Sequence, residues 1–349
     1  MKEVEVAGRK IGPGFPCFII AEAGVNHNGN EKLAKQLVDV AVQAGVDAVK
    51  FQTFKASQLV TPYAPKAEYQ KQTTNTTESQ LNMLRRLELS PESHRKVQAY
   101  CQARGILFLS SPFDVESSDF LYELGVPAFK IASGEITNFP FLGHVAHRGK
   151  PIILSTGMSY LSEVGEAMKL INDAGCDQVV LLHCVSNYPA DPADANLQAM
   201  HTMAETFHVP VGYSDHTSGI EVGLAAVALG ACVIEKHFTL DRTLPGPDQQ
   251  ASLEPNELGA LVRGIRIVEM ALGHGRKEPT ASEANTAAVA RKSLVAARDI
   301  PAGAILTEES ISVKRPGTGL SPAMRYQLVG RTVNLDIIEG TLLNLSMLR

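Results

Sequence analysis

From Phe15 to Leu272 the chain repeats one alternation: a short apolar or β-branched run, then a stretch with Ala, Leu, Glu and Lys at helical spacing. Eight runs have strand character: CFIIA from Cys17, DAVKFQ from Asp47, ILFLS from Ile106, PAFKI from Pro127, PIILS from Pro151, QVVLLH from Gln178, VPVGY from Val209 and ACVIEK from Ala231. Between them lie helical stretches such as NEKLAKQLVDVAVQAG, SPESHRKVQAYCQARG and LSEVGEAMKLINDAG. Asn30, Ser90 and Ser162 stand where N-caps are expected, and Gly45, Gly105 and Gly175 where helices stop. The last helix of the series spans roughly Pro255 to Leu272.

Eight β-then-α units imply a parallel sheet, and continuously apolar strands suit a sheet buried on both faces. A (β/α)8 TIM barrel fits their number; an open doubly wound sheet is the alternative. The polar residues that finish many strands favour the barrel: Glu22, Lys50 and Gln52, Ser110 and Ser111, Lys130, Ser155, His183, Ser214 and Asp215, and Glu235 to His237. A barrel gathers residues from all its strand ends around one mouth, whereas an open sheet concentrates them at one switch point.

Thr53 to Ser90 is an unusually long connection and reads as a partial lid over that mouth. After Gly273 the pattern changes. The segment 276–289 is polar and rich in small residues, as linkers are. Residues 290–349 hold a repeat, with Asp299-Ile300 and Gly303 matched by Asp336-Ile337 and Gly340 at one offset. Two similar strand–turn units forming a small β-rich module follow, so the expected domains are 1–275, the linker, and 290–349.

Composition narrows the function. The net charge is -5, with no basic stripe, which argues against nucleic acid. The first residues lack the apolar core of a signal peptide and no run reaches membrane-spanning length. Five scattered cysteines without a CxxC pair suit a reducing cytosol, hence a cytoplasmic protein.

The chemistry begins with His216 and His237, each closing a strand run with one helical stretch between them. Neighbouring parallel strands bring two imidazoles to one end of the sheet, a pairing suited to one divalent metal in an open site. Lys50 and Lys130, with Ser111, Ser133, Ser155, Thr156, Ser214 and adjacent glycines, form a candidate anion site. Alternation turns Lys236 away from the lumen if His237 points in. Glu22, Glu135 and Asp248 fall at mouth positions, and His27 is equally suited to be a ligand or a cap. Walker, GxGxxG and GxSxG motifs are absent. The residues thus describe a metal-dependent barrel enzyme for a phosphorylated anion and a second, carbonyl-bearing substrate.

AEAGVNHNG, VKFQTF, SSPFD, FKIASGEI, ILSTGM, LLHC with the following NYP, GYSDHT, EKHFTLD, PGPD with ASLEP, and VKRPGTG occur in that order. From about Ile19 to the C-terminus the chain resembles the sialic acid synthase family, and its tail resembles the antifreeze-like (SAF) domain. The resemblance implies that phosphoenolpyruvate condenses with the open-chain aldehyde of an N-acetylated amino sugar, N-acetylmannosamine giving N-acetylneuraminate. C3 of phosphoenolpyruvate attacks the aldehyde, water adds at C2, and phosphate leaves by C–O cleavage. It further implies Mn2+ or Mg2+ on His216 and His237, polarising the aldehyde oxygen. Lys50, Ser111, Lys130, Ser133, Ser186 and Ser214 would hold phosphoenolpyruvate. Glu22, Gln52, Tyr188 and Asp248 would hold the sugar, with Glu22 also managing protons. Arg315 would enter the partner's barrel in a domain-swapped homodimer. Ser111 and Ser186 depart from commoner family residues but keep a hydroxyl. A 2,4-diacetamido-2,4,6-trideoxy-hexose, giving N,N'-diacetyllegionaminate, is the alternative substrate. A non-catalytic carbohydrate-binding protein is the remote one.

Overall fold

A computed structural model describes residues 2–74 and 77–349. Asn75 and Thr76, within the expected lid, lie outside the described residues. The chain divides into two compact units, Met1–Gly273 and His274–Arg349.

The first unit opens with a hairpin, β1 (Val4–Val6) and β2 (Arg9–Ile11). The eight barrel strands follow: β3 (Phe18–Gly24), β4 (Ala48–Thr53), β5 (Leu107–Pro112), β6 (Phe129–Ile131), β7 (Ile152–Ser155), β8 (Val179–Cys184), β9 (Val211–Asp215) and β10 (Val233–His237). All eight expected strands are present. Parallel ladders run unbroken from β5 through β4, β3, β10, β9, β8 and β7 to β6. β5 and β6 adjoin at the seam, making a nearly closed (β/α)8 barrel. Eight long helices cover it: α1 (Glu31–Ala44), α5 (Pro91–Arg104), α6 (Val115–Leu124), α7 (Phe139–Ala146), α8 (Leu161–Asp173), α9 (Ala199–Phe207), α10 (Glu221–Ala228) and α11 (Pro255–Leu272). Among the described residues, no helix is long and apolar enough to cross a membrane.

Local chemistry explains the helix ends. Asn30 Oδ1 accepts the Lys32 and Leu33 amides, and Ser90 Oγ accepts that of Ser93. Gly45 and Gly105 close α1 and α5 in the left-handed region, where a missing Cβ removes the steric cost. Ser162 is not a cap: α8 starts one residue earlier, and Glu163 accepts the Tyr160 amide instead.

Side-chain alternation splits the barrel strands into two sets. Ile19, Val49, Phe129, Leu181 and Ile234 face the helices in one core. Phe18, Ile20, Ala48, Leu109, Ile153, Val180, Leu182 and Val233 fill the lumen in another, and Val4, Val6 and Ile11 of the hairpin join them. The Glu5 amide donates to Gln178 Oε1 at 3.4 Å, and Arg9 pairs with Asp47. Gln178 and Asp47 precede β8 and β4, so the hairpin plugs the end of the barrel where the strands begin. The sequence reading did not identify it.

The connection from Thr53 to Ser90 carries three short helices, α2 (Ala56–Leu59), α3 (Glu68–Thr73) and α4 (Gln80–Leu87). Met83, Leu84 and Leu87 pack with Val25, Phe54 and Ala56 in a small core of their own.

In the second unit the stretch read as a linker holds α12 (Ala284–Ala290). β11 (Ser293–Ala296) and β12 (Ile311–Lys314) pair antiparallel. The sequence repeat is expressed as reciprocity. Ile300 and Ile337 exchange both backbone hydrogen bonds at 2.8 Å. Asp299 accepts the Glu339 amide at 2.8 Å, and Asp336 accepts the Ala302 amide at 2.7 Å. Gly303 and Gly340 both adopt positive φ.

Candidate active site

One strand step above the apolar lumen layers, the inward positions become polar. Glu22 on β3, Lys50 and Gln52 on β4, Ser111 on β5, Lys130 on β6, Ser155 on β7, Ser214 on β9 and Glu235 and His237 on β10 line a cavity of about 320 Å³. Ser133, Ser186, Tyr188, His216 and Asp248 reach it from the strand ends and loops beyond. The barrel residues that the resemblance assigns to the site therefore all line one cavity at the C-terminal ends of the strands. Arg315 belongs to the second unit, exposed on the loop after β12. Ser293 Oγ shapes that loop, donating to Pro316 O at 2.7 Å and accepting the Gly319 amide at 2.9 Å.

Two lysines and two glutamates form the floor of the cavity. Lys50 Nζ lies 2.7 Å from Glu22 Oε2, 3.2 Å from Ser111 Oγ and 3.7 Å from Glu235 Oε2. Lys130 Nζ donates to Ser155 Oγ at 2.6 Å and lies 3.5 Å from Glu235 Oε1. Glu235 also accepts from Ser214 Oγ at 3.0 Å. It thus holds both ammonium groups and one hydroxyl, a role the sequence reading left unassigned. Its position two residues before His237 was the available signal, since alternation puts both on one face.

Burial separates the carboxyls. It would raise all of them, but Lys130 and Lys50 overcome it at Glu235, whose pKa falls to about 2. At Glu22 burial wins over Lys50, with Glu235 adding repulsion, and the pKa rises to about 7. Burial pushes Asp248 up to about 6. Burial would lower Lys50, but Glu22 and Glu235 together hold it above the usual ammonium range. Lys130 falls below that range through burial, offset in part by Glu235. At neutral pH two cations share one firmly ionised carboxylate, an arrangement that favours an anion.

Close approach of backbone completes the anion site. The Gly157 amide donates to Ser133 Oγ at 2.9 Å, and a Cβ there would collide with Ser186, Cys184 and Ser133.

His216 and His237 stand with ring centroids 5.5 Å apart, and the Tyr188 ring lies 4.2 Å from the first and 5.5 Å from the second. His216 Nδ1 donates to Val185 O at 2.6 Å, which makes Nε2 the acceptor nitrogen; it lies 3.3 Å from Ser214 Oγ, whose proton goes to Glu235. Burial holds both rings neutral, His216 at about 4 and His237 well below the usual range. The buried Nδ1 of His237 has no hydrogen-bond partner. Neutral imidazoles with available nitrogens fit a divalent cation. Among the described residues no three His, Cys, Asp or Glu groups converge as a metal cage. The protein's share would be two imidazoles, leaving the other positions to substrate and water.

Three candidates do not line the cavity: Glu135 of the mouth carboxylates, Thr156 of the anion set, and His27, which was open as ligand or cap. Glu135 instead accepts from Asn138 Nδ2 at 2.7 Å beside the start of α7. Thr156 donates to Leu182 O at 3.0 Å. His27 is buried against Phe51, and its Nδ1 accepts the Gly29 amide at 3.0 Å, so it shapes its loop. Lys236 turns outward, as alternation requires, and pairs with Asp215 at 2.7 Å. The long connection contributes Tyr69, Gln70, Met83, Leu84 and Leu87 to the cavity wall, consistent with a partial lid.

Comparison with known proteins gives the family. Residues 37–277 match the model of the NeuB family, and residues 291–349 match the SAF domain. The chain is 49% identical over 336 residues to an N,N'-diacetyllegionaminic acid synthase of Legionella pneumophila, covering 95% of this chain and 94% of that protein. A Campylobacter jejuni protein of the same name is 51% identical over 329 residues, covering 93% and 98%. Among solved structures, the N-acetylneuraminic acid synthetase of Leptospira borgpetersenii in complex with citrate superposes with a TM-score of 0.72 at 39% identity, covering 82% of this chain and 95% of that one. A barrel whose strand ends carry this cavity, joined to a SAF domain, places the chain in the NeuB family.

Proposed function

We propose that this protein condenses phosphoenolpyruvate with the open-chain form of a 2,4-diacetamido-2,4,6-trideoxy-hexose, giving N,N'-diacetyllegionaminate and phosphate. The observation that carries the choice of sugar is the identity gap. The chain is 49% and 51% identical to two diacetyllegionaminic acid synthases, against 39% to the N-acetylneuraminic acid synthetase. This reverses the order of the two sugars expected from the sequence. The cavity wall supports it: Val25, Met83, Leu84, Leu87 and Phe113 are apolar, and Gln52 and Gln70 bring amides. A second acetamido group asks for such a surface.

On this reading Lys50 and Lys130, with Ser111, Ser133, Ser186 and Ser214, hold the phosphate and carboxylate of phosphoenolpyruvate. Glu235 fixes both lysines and is spent on them. Glu22, whose carboxyl burial pushes above the usual range, can hold or release a proton beside the reacting carbons. Tyr188, kept a neutral phenol by burial, packs beside the sugar with Gln52 and Asp248. His216 and His237 would hold Mn2+ or Mg2+, which supplies Lewis-acid polarisation of the aldehyde oxygen. One C–C bond forms at C3, water adds at C2, and the C–O bond to phosphate breaks. In a homodimer, Arg315 from the tail of one subunit completes the barrel of the other.

The test is phosphate release from phosphoenolpyruvate with Mn2+, comparing N-acetylmannosamine and the diacetamido sugar at equal concentration. At least a tenfold preference in kcat/KM for the diacetamido sugar is expected, about 1.4 kcal/mol in transition-state binding. The opposite preference would make this an N-acetylneuraminate synthase. Binding of either sugar without turnover would leave a carbohydrate-binding protein.

A further inference from the structure

The long segment over the cavity leaves the barrel at Thr53 and returns at Ser90, and one buried side chain touches both places. His94, in the first turn of α5, is 1% exposed. Its Nδ1 lies 3.1 Å from Ser90 O, and its Nε2 lies 3.0 Å from Thr53 Oγ1. Thr53 Oγ1 lies 2.7 Å from Ser110 Oγ. The carbonyl of Ser90 can only accept, so Nδ1 carries the proton and Nε2 accepts. Thr53 must then donate to His94, and Ser110 to Thr53. Every hydroxyl in the chain has one direction. Burial keeps His94 neutral, which this arrangement requires.

The anchored atoms adjoin the site. Thr53 follows Gln52, and Ser110 precedes Ser111, two residues paired across β4 and β5 and both lining the cavity. A second tie crosses the same base, with Glu88 accepting the Ala56 amide at 2.7 Å. The segment between these ties supplies Tyr69, Gln70, Met83, Leu84 and Leu87 to the cavity.

We propose that His94 is a positioning residue that staples both ends of the segment to the tips of β4 and β5, and so sets the sugar side of the cavity. It touches no substrate and acts through Thr53 and Ser90. The effect on the sugar rests on the proposed reaction; the staple itself does not.

His94→Phe keeps the ring packed edge-on against Phe120, 5.8 Å away, and removes both side-chain bonds. Ser90 O keeps the His94 backbone amide and Thr53 keeps Ser110, so each buried oxygen retains a partner and only one hydroxyl proton loses its acceptor. Hydrogen exchange should quicken at least tenfold across the described parts of 54–90, with the rest of the barrel unchanged. The KM for the sugar should rise about tenfold, kcat should stay within about threefold, and the KM for phosphoenolpyruvate should move less. Thr53→Val should reproduce both effects in weaker form, and the double variant should be no worse than His94→Phe alone. Unchanged exchange in the segment would overturn the staple, whichever sugar is used. Faster exchange with unmoved kinetic constants would confine His94 to stability and overturn its positioning role. If neither sugar turns over in the parent protein, the reading of the reaction fails while the exchange result still decides the staple.

Discussion

At the scale of single residues, the site follows from strand alternation and from burial acting on charge. Glu22, Lys50, Lys130, Ser214 and His237 were legible because each ends an apolar run, and a barrel directs such residues to one place. Glu135 and Thr156 carry the same signal, but local hydrogen bonds take them elsewhere, which no run of residue types shows. Two consequences can be measured. His237→Ala should weaken Mn2+ binding by at least tenfold in calorimetry while the far-ultraviolet spectrum is kept; undiminished binding would remove the ion from this pair. Asp248 concerns stability. Its pKa rises from 3.8 to about 6 on folding, so the folded state holds the proton more tightly than the unfolded chain. The cost of ionising it is absent below pH 3.8, grows up to pH 6 and is constant above. Asp248→Asn should therefore stabilise the protein by up to about 3 kcal/mol at pH 8 and about half that at pH 5, while lowering turnover. Denaturant melts at the two pH values check this, and equal gains at both would refute it.

Elements were legible where periodicity is long and hidden where it is short. The eight strands and the barrel helices declared themselves through repetition and capping residues. The β1–β2 hairpin did not, because its strands have three residues each and sit in a charged segment. Its turn places Ala7 and Gly8 both at positive φ, as type I′ turns require, but Ala-Gly is not a pair that announces such a turn. What fixes the hairpin is tertiary: Val4, Val6 and Ile11 are almost wholly buried in the lumen core. Ile11→Ala should lower unfolding free energy by about 2–5 kcal/mol. The kinetic constants of the folded enzyme should not change, since the cavity lies at the other end of the strands. A matching loss in kcat at temperatures where the variant stays folded would show coupling between the two ends.

For the whole molecule, two units share one chain, and the tail repeat was readable because a single offset relates its Asp, Ile and Gly positions. The reciprocal bonds of Asp299 and Asp336 give that offset its reason: each half of the repeat caps the other. The proposed place of one subunit's tail in the barrel of another rests on family resemblance alone, because no sequence pattern specifies a partner. The proposed exchange of Arg315 between subunits can be tested by mixing. In a swapped dimer of His216→Ala with Arg315→Ala, one site carries both lesions and the other carries neither. Refolding equal amounts together should restore about a quarter of wild-type activity at low sugar concentration. Activity no higher than the average of the two separate variants would rule the exchange out.

The hairpin beneath the barrel has a further consequence, for traffic. With the apolar side chains that fill the lumen, it leaves the cavity a cul-de-sac: whatever reaches the lysines must enter through the mouth and leave by the same door. On the proposed reaction, with phosphoenolpyruvate on Lys50 and Lys130 and the sugar above it, binding would become a queue, the phosphoenolpyruvate first in. Dead-end inhibition gives the readout. An unreactive sugar analogue should be uncompetitive against phosphoenolpyruvate, whereas competitive or mixed inhibition would mean the two can pass each other in the mouth.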